Sequence, residues 1–447
     1  MIITRIPPSP TGHLHIGTAR TALFNYIFAK KNNGKLVFRS EDTDKTRSTK
    51  EFEAEIIDGL KWLGLNWDNT EIIRQSERSH IYREYLEKII ASGHAYLSKE
   101  VSKSNPNEMV EVVRLKNQNK KITFNDLVRG EISFDTTELG DVVIARSLDD
   151  ALYHFTVVVD DYLMGVTHVI RGEDHISNTP RQILIQEALG IERPVYAHLP
   201  LILAPDRSKM SKRHGAVSLN SYREAGYTKE AIINYLALLG WNPGTDRELF
   251  TLPELIESFE ISHIQKSGAV FDIKKFNWFN KEYLKNYSLD SFITYLSLES
   301  VADLPPHFDF RSEKFKALAS IIKERVHTRQ ECLDEIRAGE YDFAFITPNE
   351  YDPSLLVWKN DTEPKAAKLR LKRAMELLAT ADFSTPNKIK EILWPYAEEI
   401  GKGELLWPLR VALSGKNQSP DPFTIASIIG YEETIRRIQI ACDKIGE

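Results

Sequence analysis

The stretch Pro8-Ser9-Pro10-Thr11-Gly12-His13-Leu14-His15-Ile16-Gly17-Thr18 decides how this 447-residue chain is read. Before it, residues 2–6 suit a strand. After it, Ala19, Ala22, Leu23, Tyr26 and Ile27 recur at helical spacing up to Lys30. Asn32-Asn33-Gly34 stops that helix, and residues 35–40 read as the next strand. The quoted stretch is thus the strand-to-helix turn of a βαβ unit. Gly12 and Gly17 let backbone approach a ligand closely. A helix beginning near Gly17 or Thr18 offers unsatisfied N–H groups and a positive dipole end to an anion. His15 adds a side-chain donor. Taken alone, the fragment also fits a plain proline-rich turn.

A second motif, Lys209-Met210-Ser211-Lys212-Arg213, follows a strand expected near residues 199–203. Ammonium groups on a loop can close over a triphosphate and neutralise charge developing between its α- and β-phosphorus. An isolated basic pentapeptide is otherwise an ordinary solvated run, but Met210 and Ser211 interrupt it. The two motifs together could hold a nucleoside triphosphate, the first gripping its body and the second its phosphates. Neither fits a Walker-type loop, and no strand-linked G-x-G-x-x-G occurs, which argues against kinase-like and dehydrogenase-like readings.

Composition sets the frame. The length suggests about three domains, and 42% apolar with 27% charged residues is ordinary globular usage. No apolar run reaches the roughly 20 residues a membrane span needs. The first residues lack the pattern of a signal peptide, so a cytoplasmic protein is expected. Cys332 and Cys442 cannot form a zinc cluster by themselves. A net charge of −6 leaves any nucleic-acid binding to local basic patches.

A second amphipathic helix carries Phe52, Ile56, Leu60 and Leu63 on one face. In parallel sheets ligands sit outside the carboxyl ends of the strands. That rule gathers Ser9, His15 and Gly17 at one such end and Glu41, Asp42 and Asp44 at its neighbour. Residues 75–132, with a polar stretch at 98–108 and a basic one at 116–121, read as an insertion. The α/β pattern resumes at 141–146, then at 153–161 and 166–171, with a helix over 179–189. Beyond residue 218 the chain turns mostly helical, and from 288 onward only helical periodicity is seen.

With these motifs in place, the chain resembles the bacterial glutamyl-tRNA synthetases, class I enzymes. The resemblance runs through residues 5–12, 15–18 and 39–44, then through 159–174, the 209–213 loop and 408–415, and so covers nearly the whole chain in order. It implies an α/β fold: a Rossmann-like parallel-sheet catalytic domain over 1–74 and 133–205, with an inserted α+β acceptor-binding domain over 75–132. A stem-contact domain with the lysine loop would span 206–287, and an all-α anticodon-binding region 288–447. The implied reaction joins L-glutamate to the 3′ end of tRNA(Glu) through a glutamyl-adenylate. ATP enters with Mg²⁺, no residue is assigned to a metal, and no protein-bound zinc is expected. Further expectations are a monomer, and tRNA(Gln) as an open second partner.

The resemblance also implies roles. Thr11, Gly12, His15, Gly17, Asp174, Ile202, Lys209, Met210, Ser211, Lys212 and Arg213 fall at ATP-binding positions, with His15, Lys209 and Lys212 catalytic. Arg5, Pro7, Ser9, Glu41, Tyr153 and Arg171 fall at glutamate positions: Glu41 for the ammonium group, the two arginines for carboxylates. Arg47 and Arg325 are candidate tRNA contacts, and Lys323, His327, Arg329 and a cluster at 365–373 are further basic candidates.

Four features depart from the family pattern. Thr18 replaces the second histidine of the general class I signature, and Pro7 stands where alanine is common. Val157 lies where some relatives place an asparagine, which leaves side-chain selectivity more to Arg5 and Tyr153. The insertion is short and has no cysteine. The sister glutaminyl enzyme is disfavoured by residues 41–44 and the helical rear, and a truncated queuosine-modifying relative by that rear's length. A catalytically silent paralogue is disfavoured by the intact His15 and loop lysines.

Overall fold

The computed structural model describes residues 1–101, 105, 107–210, 217–298, 303–359, 361 and 363–445. Ser211, Lys212 and Arg213 therefore lie outside the described residues. The chain divides into two compact units, Met1–Asn280 and Lys281–Glu447.

The first unit begins as the turn motif requires. Strand β1 (Ile3–Ile6) leads through the proline-rich turn into α1 (Ile16–Lys31), followed by β2 (Lys35–Ser40), α2 (Lys50–Trp62) and β3 (Ile73–Arg74). These strands form a parallel sheet in the order β1-β2-β3. Helix α1 starts two residues earlier than expected because His15 caps it, accepting the Gly17 N–H. It ends where Asn33 takes φ 50°, a left-handed conformation that breaks the ladder.

Next come α3 (Ser79–Ala91), β4 (Ala95–Val101), β5 (Met109–Leu115), β6 (Lys121–Asp126), β7 (Gly130–Asp135), β8 (Val142–Ser147) and β9 (Asp150–Ala151). Here the pairing differs from expectation. The pattern over residues 141–146 predicts the return of the parallel fold, yet β8 runs antiparallel to β5 in a β4-β5-β8-β9 sheet. The antiparallel sheet thus extends past the expected limit at residue 132, because Val113 and Leu115 need β8 to cover their open backbone edge. The β6–β7 hairpin leaves that sheet altogether. It joins β10 (His168–Gly172) and β11 (Val195–Leu199) in the order β10-β11-β6-β7, with β6 parallel to β11.

Around that second sheet lie α4 (Tyr153–Leu163) and α5 (Thr179–Ala188). The strand expected over 199–203 is instead the end of β11 and a separate β12 (Ile202–Leu203). Pro200 lies between them and has no N–H to donate to a ladder. Then follow α6 (Leu219–Glu224), α7 (Lys229–Leu238), α8 (Leu252–Ser258), β13 (Ala269–Val270), parallel to β12, and α9 (Ile273–Lys285). The division at Asn280 falls within α9, about two turns before the boundary expected at residue 287.

The second unit is helical: α10 (Leu289–Ser297), α11 (Glu313–Arg325), α12 (Arg329–Arg337), α13 (Pro364–Leu378), α14 (Pro386–Ile400), α15 (Lys402–Ser414) and α16 (Pro422–Lys444). They share one apolar core that includes Phe292, Phe315, Leu371, Leu393, Leu409 and Ile438. Buried Arg437 lies on α16 and donates to the carbonyls of Phe343, Leu413 and Ile346. No helix among the described residues is long and apolar enough to cross a membrane.

Candidate active site

Two adjoining cavities open at the carboxyl ends of the parallel strands of the first unit. The first, about 390 Å³, is lined by Arg5, Pro7, Ser9, Glu41, Tyr153 and Arg171, all six residues expected at glutamate positions. The second, about 320 Å³, is lined by His15, Gly17, Asp174, Ile202, Lys209 and Met210 from the ATP set. His15, Thr18, Gly172 and His175 line both. Thr11 and Gly12 line neither, and stand in the turn that carries His15 into place.

The first cavity is strongly charged. Arg39 lies beneath it, fully buried, 2.9 Å from Glu41 and 2.7 Å from Asp161, with Asp160 at 3.8 Å. Those three carboxylates hold its guanidinium well above the ordinary arginine range despite burial. Glu41 thus already has a cationic partner. Burial nonetheless raises its pKa, with Arg39 opposing that shift. Arg5 places Nε 3.4 Å from Asp161 and donates through Nη1 to the Ile170 carbonyl at 3.2 Å. Asp160 accepts from Arg78, Gln75 and Tyr82, which satisfies it.

Arg171 is held differently. Nε donates to His198 at 3.1 Å, Nη1 to Gln182 at 2.8 Å and Nη2 to Thr179 at 2.8 Å. Tyr153 places its hydroxyl 3.4 Å from His175 Nδ1. Burial lowers the pKa of His175 to about 4, with Arg171 adding to the effect. Burial also pushes the Tyr153 phenol up to about 12. Val157 is buried on α4 and lines neither cavity.

In the second cavity His15 accepts the Gly17 N–H at Nδ1, 2.9 Å, which leaves Nε2 as the donor. A Cβ on Gly17 would lie 3.1 Å from that nitrogen, so a glycine here lets the ring settle. Burial and then Lys209 lower the His15 pKa, so the ring is neutral. Lys209 pairs with Asp174 at 2.9 Å. Both flanks of residues 211–216 are tied to the site: Met210 N–H donates to the Ile202 carbonyl, and the Val217 carbonyl accepts from Ile16.

Of the remaining candidates, Arg47 is exposed and paired with Asp44 at 2.6 Å. Arg325 is exposed at the end of α11, whereas Arg329 is buried. Lys365, Lys372 and Arg373 are exposed on α13. His175 and Arg20 also line these cavities but carry no role in the sequence reading; for His175, a glycine-led run at 172–175 after a strand is the signal available. Among the described residues no group of three or more His, Cys, Asp or Glu is placed to hold a metal.

Two joined cavities at parallel strand ends, one built for a small charged molecule and one for an anion on a helix N-terminus, define an α/β enzyme that brings a nucleotide to a second substrate. The model of the tRNA synthetases class I (E and Q) catalytic domain matches residues 1–111 and 97–278, and that of an anticodon binding domain matches 293–442. The glutamate–tRNA ligase of Carboxydothermus hydrogenoformans is 40% identical, over 98% of this chain and 99% of its own. That of Aquifex aeolicus is 40% identical over 99% of each. The crystal structure of a glutamate tRNA ligase from Elizabethkingia meningosepticum, in complex with its amino acid, matches with a TM-score of 0.86 at 30% identity, covering all of both chains. The chain belongs to the glutamate–tRNA ligases, a family of class I aminoacyl-tRNA synthetases.

Proposed function

We propose that the chain activates L-glutamate with ATP and passes the glutamyl group to the 3′ end of tRNA(Glu). The observation that carries this reading is the sorting of residues between the joined cavities, with every glutamate candidate on one and most of the ATP set on the other. An α-carboxylate oxygen attacks the α-phosphorus, the bond to the β-phosphate breaks, and pyrophosphate leaves. A ribose hydroxyl of the tRNA terminus then attacks the acyl carbon, loses its proton, and AMP departs. A carboxylate is already a nucleophile, so no activated serine, cysteine or general base is required. Positioning and charge neutralisation carry the rate.

In this reading Glu41 receives the substrate ammonium group, and Arg5 and Arg171 its carboxylates. Ser9 and Tyr153 supply hydrogen bonds. His15 Nε2–H and the α1 N-terminus meet the phosphates, and Lys209 with Lys212 stabilise the charge that develops on pyrophosphate. A Mg²⁺ ion bound to the ATP would offset part of the phosphate charge. Asp174 is the carboxylate lining that cavity, which suits an ion held mostly by phosphate and water oxygens. Arg47, Arg325 and the exposed basic face of α13 are proposed to touch tRNA, and the enzyme is proposed to work as a cytoplasmic monomer.

The test is pyrophosphate exchange and charging with purified tRNAs. Glutamate-dependent exchange and charging of tRNA(Glu) are expected. Lys209→Ala and Lys212→Ala should abolish exchange while tRNA binding persists. Exchange with another amino acid in preference to glutamate would overturn the reading. Equal charging of tRNA(Gln) would assign the enzyme to both tRNAs.

A further inference from the structure

The two substrate arginines sit in opposite electrostatic settings. Arg5 faces Asp161, and its neighbour Arg39 is ringed by three carboxylates. The hydrogen-bond partners of Arg171 are His198, Gln182 and Thr179, none of them a carboxylate. All three are almost wholly buried, at 0%, 2% and 0% exposure. Arg171 is therefore a buried cation with no carboxylate bonded to it, an arrangement that is costly unless an anion arrives.

The donor count shows where that anion would go. A guanidinium carries five N–H groups. His198, Gln182 and Thr179 take one each from Nε, Nη1 and Nη2, which leaves one N–H on each terminal nitrogen. Two free N–H groups on the terminal nitrogens are the number that a carboxylate takes in a paired contact. Arg171 lines the first cavity, and its guanidinium packs over the Tyr196 ring at 5.6 Å.

The fold fixes this arrangement at every step. Arg171 on β10 and His198 on β11 are partners in parallel register. His198 Nδ1 lies 2.6 Å from the fully buried Asp126 carboxylate at the end of β6. That contact holds the imidazole proton on Nδ1 and leaves Nε2 as the acceptor for Arg171. Asp126 is itself held by the N–H groups of Val128, Arg129 and His198. Thr179 and Gln182 lie three residues apart on α5, and so share a face. The Thr179 hydroxyl has the His175 carbonyl and His198 Nε2, each at 3.3 Å, as acceptors for its one proton, and its oxygen accepts from Arg171.

We propose that His198 and Gln182 are positioning residues that present the two free N–H groups of Arg171 to one carboxylate of the amino-acid substrate, and that their neutrality preserves its charge for that carboxylate. The proposal rests on the reading of Arg171 as a substrate residue.

Gln182→Glu is the direct test. Gln182 Nε2 has no hydrogen-bond partner among the described residues, so the change swaps charge at nearly constant shape. It should raise the glutamate KM about tenfold or more, with the ATP KM within about twofold and most of the loss in KM rather than kcat. His198→Phe should do the same, and His198→Gln, whose amide oxygen can accept from Nε, should recover much of it. Arg171→Ala, measured beside them in the full-length enzyme, separates the two layers. If Arg171→Ala raises the glutamate KM and Gln182→Glu leaves it within about twofold, the proposal is overturned and the functional reading stands. If Arg171→Ala itself leaves that KM unchanged, the substrate reading fails and takes the proposal with it. A drop in melting temperature with unchanged KM values in both shell variants would mark a purely structural role and likewise overturn it.

Discussion

The backbone N–H of Gly17 donates to Nδ1 of His15 at 2.9 Å, so one imidazole both caps α1 and keeps Nε2–H as a donor for the nucleotide cavity. The two roles separate by substitution. An asparagine at position 15 can cap with Oδ1 but falls short of the Nε2 position. His15→Asn should leave stability within about 0.5 kcal/mol while lowering the rate of pyrophosphate exchange about 100-fold or more. His15→Ala should lose the cap as well, at about 1 kcal/mol. Urea titration beside exchange kinetics checks both. Equal destabilisation by the two variants would show that the cap is carried elsewhere.

Arg39 is the cation on which the amino-acid cavity is built. It lies fully buried against Glu41 and Asp161, with Asp160 at 3.8 Å. Its removal leaves carboxylates in a low-dielectric site without their main counter-charge, which typically costs about 3–5 kcal/mol. Arg39→Met should lower stability by that order. Glutamate binding should fall too, because Glu41 would tend to protonate and lose its hold on an ammonium group. Chemical denaturation and the glutamate KM report the two effects. A variant with wild-type stability would show that Arg78 and Arg5 already balance the three acids.

Acid should weaken the protein in a defined window. Burial lowers the pKa of both His154 and His175 to about 4, reinforced by Arg181 and then Arg171 at His154 and by Arg171 at His175. The unfolded chain protonates these rings near pH 6.5, whereas the native state resists until about pH 4. Between those values the unfolded state binds more protons, so stability rises with pH and is lost on acidification. The melting temperature should fall steadily from pH 6.5 toward pH 4, and His175→Gln should flatten part of that slope. A slope identical in the variant would remove His175 from the account.

The parts of this fold that were legible in the sequence are those fixed by local chemistry. The 8–18 turn and the Asn32–Gly34 stop act within a few residues, and pattern alone found them; the His15 cap, which moves the start of α1 to Ile16, was missed. The cavity residues were legible through the resemblance, which named Glu41 and Arg171 but not what surrounds them. Misread were the features set by distant pairing. Residues 141–146 carry the apolar pattern of any strand, and only β5, almost thirty residues earlier, decides that β8 runs antiparallel. The β6–β7 hairpin joins β11 across some seventy residues, and no local signal announces that crossing. His198 was invisible for the same reason, since its role exists only once β6, β10 and β11 lie side by side.

In the second unit, helix α16 is interrupted at Gly430, which takes φ 79° and ψ 175°, a region almost confined to glycine. A Cβ built there would meet nothing within 4 Å, so the site has space for a side chain but not the conformational freedom for one. Gly430→Ala should therefore destabilise through the backbone alone, by about 1–3 kcal/mol. The helix on either side places Ile425 and Ile438 fully in the core, so the kink cannot straighten without pulling one of them out. Hydrogen exchange should show the loss concentrated in α16, with pyrophosphate exchange unchanged because the first unit holds both cavities. A loss near zero, with exchange protection through residue 430 intact, would show that the break is held by the packing of its flanks rather than by the glycine.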